Sequence, residues 1–274
     1  MSEDRLQATR FELKYHVSTE TAQRIRDFLS SYLELDEYSA GKPGNAYYNH
    51  SVYLDSDDLV TYWDVVNSNK NRYKLRFRYY DDRPGSPVFF EVKRRMNDAI
   101  LKQRGPVRQE AVPLLLAGQL PEPAHLLSDK PQHLVAVQQF SRLMHDIRAV
   151  PKVRVSYLRE AWVSRTDNSA RVTLDREVTG RPHFTPTLPT HTGNGLDECV
   201  TPFEPLVILE LKFTGRFPDW FRSLVEIFQV TQRGSAKYAD SVFLLGEERL
   251  NPQQFPAERP DSVEKFLNRR AKDV

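Results

Sequence analysis

Basic residues in this sequence recur at every second position, a spacing suited to holding an extended anion. Arg72, Lys74, Arg76 and Arg78 alternate with Tyr73, Leu75, Phe77 and Tyr79. A Glu-x-Lys pattern recurs in three other segments, at Glu12/Lys14, Glu91/Lys93 and Glu210/Lys212. Arg171, Thr173 and Asp175 alternate with Val172 and Leu174, and Arg154 sits between Val153 and Val155. Side chains alternate between the two faces of a β-strand, so each segment reads as a strand with one charged and one apolar face. Arginine forks suit two-pronged contacts to oxyanions, and lysine acts as a point charge.

Taken singly, each strand fits an ordinary antiparallel sheet, with one face in the core and the other salt-bridged in water. Six such strands in one chain fit that less well. Four cations in a row with no intervening acid repel one another unless an anion sits on them. The charged faces gather twelve cations: Arg10, Lys14, Arg72, Lys74, Arg76, Arg78, Lys93, Lys102, Arg154, Arg171, Lys212 and Lys237. Their acids are four, Glu12, Glu91, Asp175 and Glu210. An excess of +8 on a chain of net charge +2 implies a polyanionic ligand.

The elements that must position these residues follow from the apolar periodicity. Helices are expected over Ser18–Leu35, from a Ser56 cap through Leu59, Tyr62, Trp63 and Val66, over Pro131–Val150, over Pro218–Val230, and more weakly over Asp261–Lys272. If the apolar strand faces pack outward against these helices, the charged faces line an interior, and closing the sheet removes its exposed edges. The expected fold is therefore α+β: a closed antiparallel β-tunnel of about eight strands with a basic lumen and helices outside. Such a lumen must stay wet or hold phosphates, because burying unpaired cations costs several kcal/mol each.

Composition limits the alternatives. The chain has 274 residues, 39% hydrophobic and 28% charged, which excludes disorder and points to one domain over 1–274, with its core at about 10–245 and a terminal helix at about 261–272. A single cysteine, Cys199, allows no internal disulfide. No apolar run approaches the ~18 residues that span a bilayer, and Met1–Arg10 lacks a signal-peptide core, so a cytoplasmic location is expected. His183–Glu204 reads as a mobile excursion. With 11 glycines and no Walker A motif, phosphates would be held by side chains rather than by a backbone cradle. His50, His133 and His145 read as surface or helix-face residues, and Trp63 and Trp220 as core.

Eight segments occur in a recognisable order. They are Arg10-Phe-Glu-Leu-Lys14-Tyr15, Ser51-Val-Tyr53-Leu-Asp55, Arg72-Tyr-Lys74-Leu-Arg76-Phe-Arg78-Tyr79, Phe90-Glu91-Val-Lys93, Arg154-Val-Ser-Tyr157-Leu-Arg159, Arg171-Val-Thr-Leu-Asp175, Leu209-Glu210-Leu-Lys212 and Ser235-Ala-Lys237-Tyr238. Together they resemble the polyphosphate polymerase domain of the vacuolar transporter chaperone (VTC) family, within the triphosphate tunnel metalloenzyme (CYTH-like) superfamily. The resemblance runs from about Arg10 to Leu245.

It implies transfer of the γ-phosphate of ATP onto a growing inorganic polyphosphate chain, with Mn²⁺ or Mg²⁺ on Glu210. Carried over by motif, Lys14, Arg76, Arg78, Lys93, Lys102, Arg154, Arg171 and Lys237 would hold phosphate, Lys237 from a lid beyond the last helix. Arg10, Arg72, Lys74, Arg159, Lys212, Ser235 and Tyr238 would add substrate contacts. Glu12, Glu91 and Asp175 would orient the cations. Arg10 stands where the superfamily's hydrolases carry the first glutamate of Glu-x-Glu-x-Lys, which weakens a second metal site and argues against a two-metal tripolyphosphatase or a CYTH-type cyclase. No SPX domain or membrane helix is read here, so the resemblance does not extend to translocation or inositol-phosphate control, and any membrane partner would be a separate protein. ATP and polyphosphate or pyrophosphate are the expected partners. Two alternatives stand: a triphosphate or polyphosphate hydrolase, and a non-catalytic polyphosphate- or nucleotide-binding module. A nucleic-acid reader is disfavoured because Tyr73, Phe77 and Tyr79 face away from the cations.

Overall fold

A computed structural model describes residues 10–97, 99–167, 169–188 and 199–251. The chain runs β1 (Arg10–Val17), α1 (Thr19–Leu29), β2 (Glu34–Leu35), β3 (Tyr47–Asp55), α2 (Val60–Val66), β4 (Asn71–Tyr79), β5 (Val88–Met96), β6 (Ala99–Val107), α3 (Val112–Leu116), α4 (Pro131–Asp146), β7 (Val150–Val163), β8 (Ala170–Pro182), β9 (Val207–Thr214), α5 (Asp219–Phe228), α6 (Lys237–Leu245) and α7 (Glu247–Leu250). The fold is α+β, and the strand pairs of known register are antiparallel. Hydrogen bonding orders eight strands as β1-β9-β8-β7-β3-β4-β5-β6, with β2 paired to β7.

The expected closure of the sheet is not found: β1 and β6 end that path and do not pair with each other among the described residues. Several element bounds also differ from expectation. Ser18 does cap α1, accepting from the Thr21 amide at 3.0 Å, but the helix stops at Leu29 rather than Leu35. There Ser30 turns its hydroxyl onto the Asp27 carbonyl at 2.7 Å, competing with the helix backbone, and the chain re-enters the sheet as β2. Ser56 accepts from the Val60 amide at 3.1 Å but is not the cap expected of it: Leu59, in a left-handed conformation, holds that position, and α2 begins only at Val60. The stretch expected to be one helix to Val150 splits into α4 and the first residue of β7. The terminal helix expected at 261–272 lies outside the described residues, as does the middle of the 183–204 excursion. Among the described residues no helix is long and apolar enough to cross a membrane.

The chain forms two compact units, each assembled from separated segments. The first (residues 1–48, 157–178 and 203–235) has its own core, in which Tyr15 and Val17 of β1, Val172 and Leu174 of β8, and Leu209 and Leu211 of β9 meet Ile25 and Leu29 of α1 and Phe221 and Leu224 of α5. The second (49–156, 179–202 and 236–274) has a separate core. There Val52 and Leu54 of β3, Leu75, Phe77 and Tyr79 of β4, and Phe90 and Val92 of β5 pack on Val137, Phe140 and Leu143 of α4. Phe90 and Phe140 rings lie 4.7 Å apart. Gly105 lets α4 come close to β6, since a Cβ there would stand 2.6 Å from Val137 Cγ2 and from the His133 carbonyl oxygen. In both units the apolar strand faces are under helices, which leaves the polar faces on the other side of the sheet.

Candidate functional site

In the second unit the register of β3–β6 lays the polar side chains out in rows. Ser51, Arg78 and Phe89 lie across one row, and Tyr53, Arg76, Glu91 and Arg104 across the next. Lys74, Lys93 and Lys102 form a third row, and Arg72, Arg95 and Ile100 a fourth. On β4–β6 this face carries eight cations (Arg72, Lys74, Arg76, Arg78, Lys93, Arg95, Lys102 and Arg104) and one acid, Glu91. Three lysines directly abreast repel one another, and the cheapest way to stabilise them is an anion on that face.

Glu91 organises the middle of the array. Fully buried, it accepts from Arg76 Nε at 2.7 Å and forms ion pairs with Arg76 Nη2 at 2.6 Å and Lys102 Nζ at 2.8 Å. Burial alone would raise its pKa, but Arg76, Arg78 and Lys102 outweigh burial and hold the carboxyl far below the usual range. Desolvation of the ammonium beside buried Glu91, with crowding by Arg76 and Arg78, lowers Lys102 to about 8 against the pull of Glu91, although the side chain as a whole is 39% exposed. Arg76 Nη1 donates to the Tyr53 hydroxyl at 2.9 Å, and Arg78 Nε donates to Ser51 Oγ at 3.1 Å. Arg104 lies over the Phe89 ring, 3.7 Å from its centroid. Arg154 stands beside the Tyr79 hydroxyl, a phenol that burial raises to about 12.

Tyr53 is buried, stacks on Tyr238 at 4.9 Å, and has a phenol poised near neutrality. Burial would raise it, yet Arg76, Lys74 and Arg78 pull it down to about 7. Above pH 7 its phenolate therefore cancels one positive charge of the array. Relative to Tyr53→Phe, the pyrophosphate affinity of the unaltered chain should fall about fivefold between pH 6 and pH 8, the ~1 kcal/mol scale of a screened unit charge. Calorimetry on the two proteins checks this, the comparison cancelling the ionisation of pyrophosphate and of Lys102; parallel pH dependences would remove Tyr53 from the array.

The corresponding face of the first unit is charge-balanced. Glu12, Lys212 and Arg171 share one row across β1, β9 and β8, and Lys14, Glu210 and Thr173 the next. Lys14 Nζ lies 3.2 Å from Glu12 and 3.4 Å from Glu210, and donates to the Ser235 carbonyl at 3.2 Å. Glu210 also takes Lys212 at 2.6 Å and Arg159 at 3.4 Å. Arg159 grips Asp175 with two 2.7 Å bonds; burial opposes its charge, but Asp175 and Glu210 outweigh burial and keep it firmly protonated. Arg171 donates to Asp36 at 2.8 Å. The positive excess read from the sequence is therefore not uniform: it is concentrated on β4–β6.

Three expected roles look different in the structure. Lys237 is the first residue of α6, not part of a lid beyond the last helix. Tyr238 is fully buried and donates to Asp55 Oδ2 at 2.8 Å. Asp55 also takes the Ser56, Thr61 and Tyr62 amides and the Thr61 hydroxyl, which fastens β3, α2 and α6 together. His50, expected at a surface, is buried against Tyr79 and bonded to Ser156 Oγ at 2.8 Å. Nothing is described of the Arg10 side chain. Tyr53 and Arg104 were not singled out as site residues, although the alternation of Ser51 with Tyr53, and of Lys102 with Arg104, already carried the signal.

For a divalent ion the fit is partial. Among the described residues no three His, Cys, Asp or Glu side chains gather. Glu12 and Glu210 do converge, with Lys14 between them. Two carboxylates match what a protein commonly gives Mg²⁺ when substrate phosphates and water complete the shell. The residues suit an ion brought in on phosphate oxygens, not a closed protein cage.

The profile of the VTC domain matches residues 9–245. Among curated proteins, vacuolar transporter chaperone complex subunit 4 of Schizosaccharomyces pombe is 25% identical over 204 residues, a match covering 64% of this chain and 28% of that protein. The chain thus spans less than a third of that relative's length. Among solved structures, a Bacillus halodurans protein assigned as an adenylate cyclase aligns at 15% identity with a TM-score of 0.46, covering 83% of this chain and 94% of that one.

Proposed function

The chain belongs to the VTC-domain family, and from that premise we propose that it is a polyphosphate polymerase using ATP. The observation that carries the reading is the β4–β6 face, where one acid stands among eight cations. Such a face suits a polyanion held along its length. In the reaction proposed, a terminal oxygen of the polyphosphate chain bonds to the γ-phosphorus of ATP, the bond from that phosphorus to the β–γ bridging oxygen breaks, and ADP leaves. The attacking oxygen is already ionised, so no general base is required. What the protein must supply is in-line positioning and neutralisation of charge on the transferring group.

Arg76 and Arg78 would fork onto the triphosphate, with Lys74, Lys93 and Lys102 on neighbouring oxygens and Arg154 a further contact. Lys14, Arg171, Lys212 and Lys237 are proposed as further phosphate contacts. Glu91 and Asp175 would hold Arg76 and Arg159 in place. Glu210, with Glu12, would hold Mn²⁺ or Mg²⁺, which when bound supplies further neutralisation of phosphate charge.

The test is incubation of the purified chain with ATP and Mn²⁺ or Mg²⁺. Long phosphate chains on a polyacrylamide gel, with matching ADP, support the polymerase. Free phosphate alone would replace it with a hydrolase, and tight pyrophosphate binding without turnover with a binding module. Glu210→Gln is expected to raise the metal concentration needed for half-maximal rate at least about tenfold, the lower end of the usual cost of disturbing a metal site. An unchanged metal titration would take the ion away from Glu210.

A further inference from the structure

The β5–β6 hairpin ends in a tip of which the phosphate reading counts only Arg95. Register pairs Met96 with Ala99, Arg95 with Ile100 and Arg94 with Leu101. Met96, Ile100 and Leu101 are 41%, 49% and 45% exposed, high for side chains of this size in regular strands. Arg94 and Arg95 are exposed as well, and Lys70 is exposed where its carbonyl accepts from the Asn97 amide at 3.0 Å. From Lys93 to Lys102 the sequence carries four cations and one acid, Asp98.

The combination is two-sided. Ile100 and Arg95 lie on one face of the ribbon, and Leu101 and Arg94 on the other, because neighbouring residues alternate. A protein groove or a second sheet would cover one face and leave the other apolar residue in water. A medium that surrounds the tip covers both. The basic residues select for negative charge, and the apolar ones for a boundary they can enter; lipid headgroups over acyl chains satisfy both.

We propose that the β5–β6 tip docks on an anionic lipid surface, with Met96, Ile100 and Leu101 entering the headgroup region and Lys70, Arg94 and Arg95 meeting lipid phosphates. Arg95 is shared with the cation face, but the proposal rests on Met96, Ile100 and Leu101 with Lys70 and Arg94, so it stands or falls apart from the polymerase reading.

The test is flotation of the full chain with phosphatidylcholine vesicles, with and without phosphatidylserine. The chain should float with the phosphatidylserine vesicles and stay behind with phosphatidylcholine alone. Ile100→Ser/Leu101→Ser should weaken vesicle affinity at least about tenfold through lost apolar burial. Lys70→Gln/Arg94→Gln should weaken it by about twentyfold or more, each basic residue near such a surface being worth about fivefold. All four substituted residues are exposed, and an unchanged thermal transition would show the variants folded. Failure of the unaltered chain to float overturns the proposal. So does full binding by Ile100→Ser/Leu101→Ser, which would assign the attraction to the cation rows. Binding to polyglutamate but not to vesicles would reassign the tip to an acidic protein.

Discussion

Arg76→Ala is expected to lower polyphosphate synthesis at least about a hundredfold while the chain stays folded. The guanidinium is fixed on two sides, Nε and Nη2 on Glu91 at 2.7 and 2.6 Å and Nη1 on Tyr53 at 2.9 Å. A donor fixed in this way needs no reorganisation when charge develops on the transferring phosphate. Removing one such donor from an oxyanion site costs roughly 10²–10³ in rate. The fold should survive, because Arg76 is only partly buried and Glu91 keeps Lys102 at 2.8 Å. Arg76→Lys separates charge from geometry. It keeps the positive charge but loses the fork, so it should recover only part of the lost rate. Initial rates of ADP release, read beside a thermal unfolding curve, check both variants. A wild-type rate in Arg76→Ala would remove the β4–β6 face from the chemistry.

The strands that carry these residues were legible because period-two alternation is a strong local signal. Arg72–Tyr79 reads unambiguously as a strand, and Phe77 and Tyr79 do lie in a core while Arg76 and Arg78 lie opposite. Helix ends were less legible. The turn of Ser30 onto Asp27 is a local hydrogen bond that apolar periodicity does not record, and the reuse of Glu34–Leu35 as a strand depends on Val163 and Trp162, far along the chain. Closure of the sheet was inferred from the need to remove edges, a global argument with no residue behind it, and the pairing does not bear it out.

Charge distribution shows the same limit. Counting cations across all strands gives an excess of +8 but does not divide it among them. Register does, since it sets Lys14 beside Glu210 and Glu12 beside Lys212 in one unit, but Lys74, Lys93 and Lys102 abreast in the other. A sequence records which face a side chain takes; only pairing records its neighbour.

That arrangement makes Glu91 the residue on which the stability of the array turns. Glu91→Gln keeps the shape but removes the one negative charge among the eight cations of β4–β6. Losing one partner of a buried ion pair costs roughly 3–5 kcal/mol, a loss that urea unfolding at pH 7 should reveal. The sign of the pH dependence follows from the depressed carboxyl. Folded Glu91 binds its proton far less readily than an unfolded glutamate at about 4.3, so its contribution is present above that pH and is lost as pH falls below it. The unaltered chain should therefore lose its advantage over Glu91→Gln progressively in acid, and a gap that persists undiminished would show packing rather than charge at work. An anion on the face can take over the neutralising role. Pyrophosphate at neutral pH should then stabilise Glu91→Gln more than the unaltered chain, because it finds one more uncompensated positive charge. Equal stabilisation of the two would mean that Glu91 and the bound anion do not share the same cations.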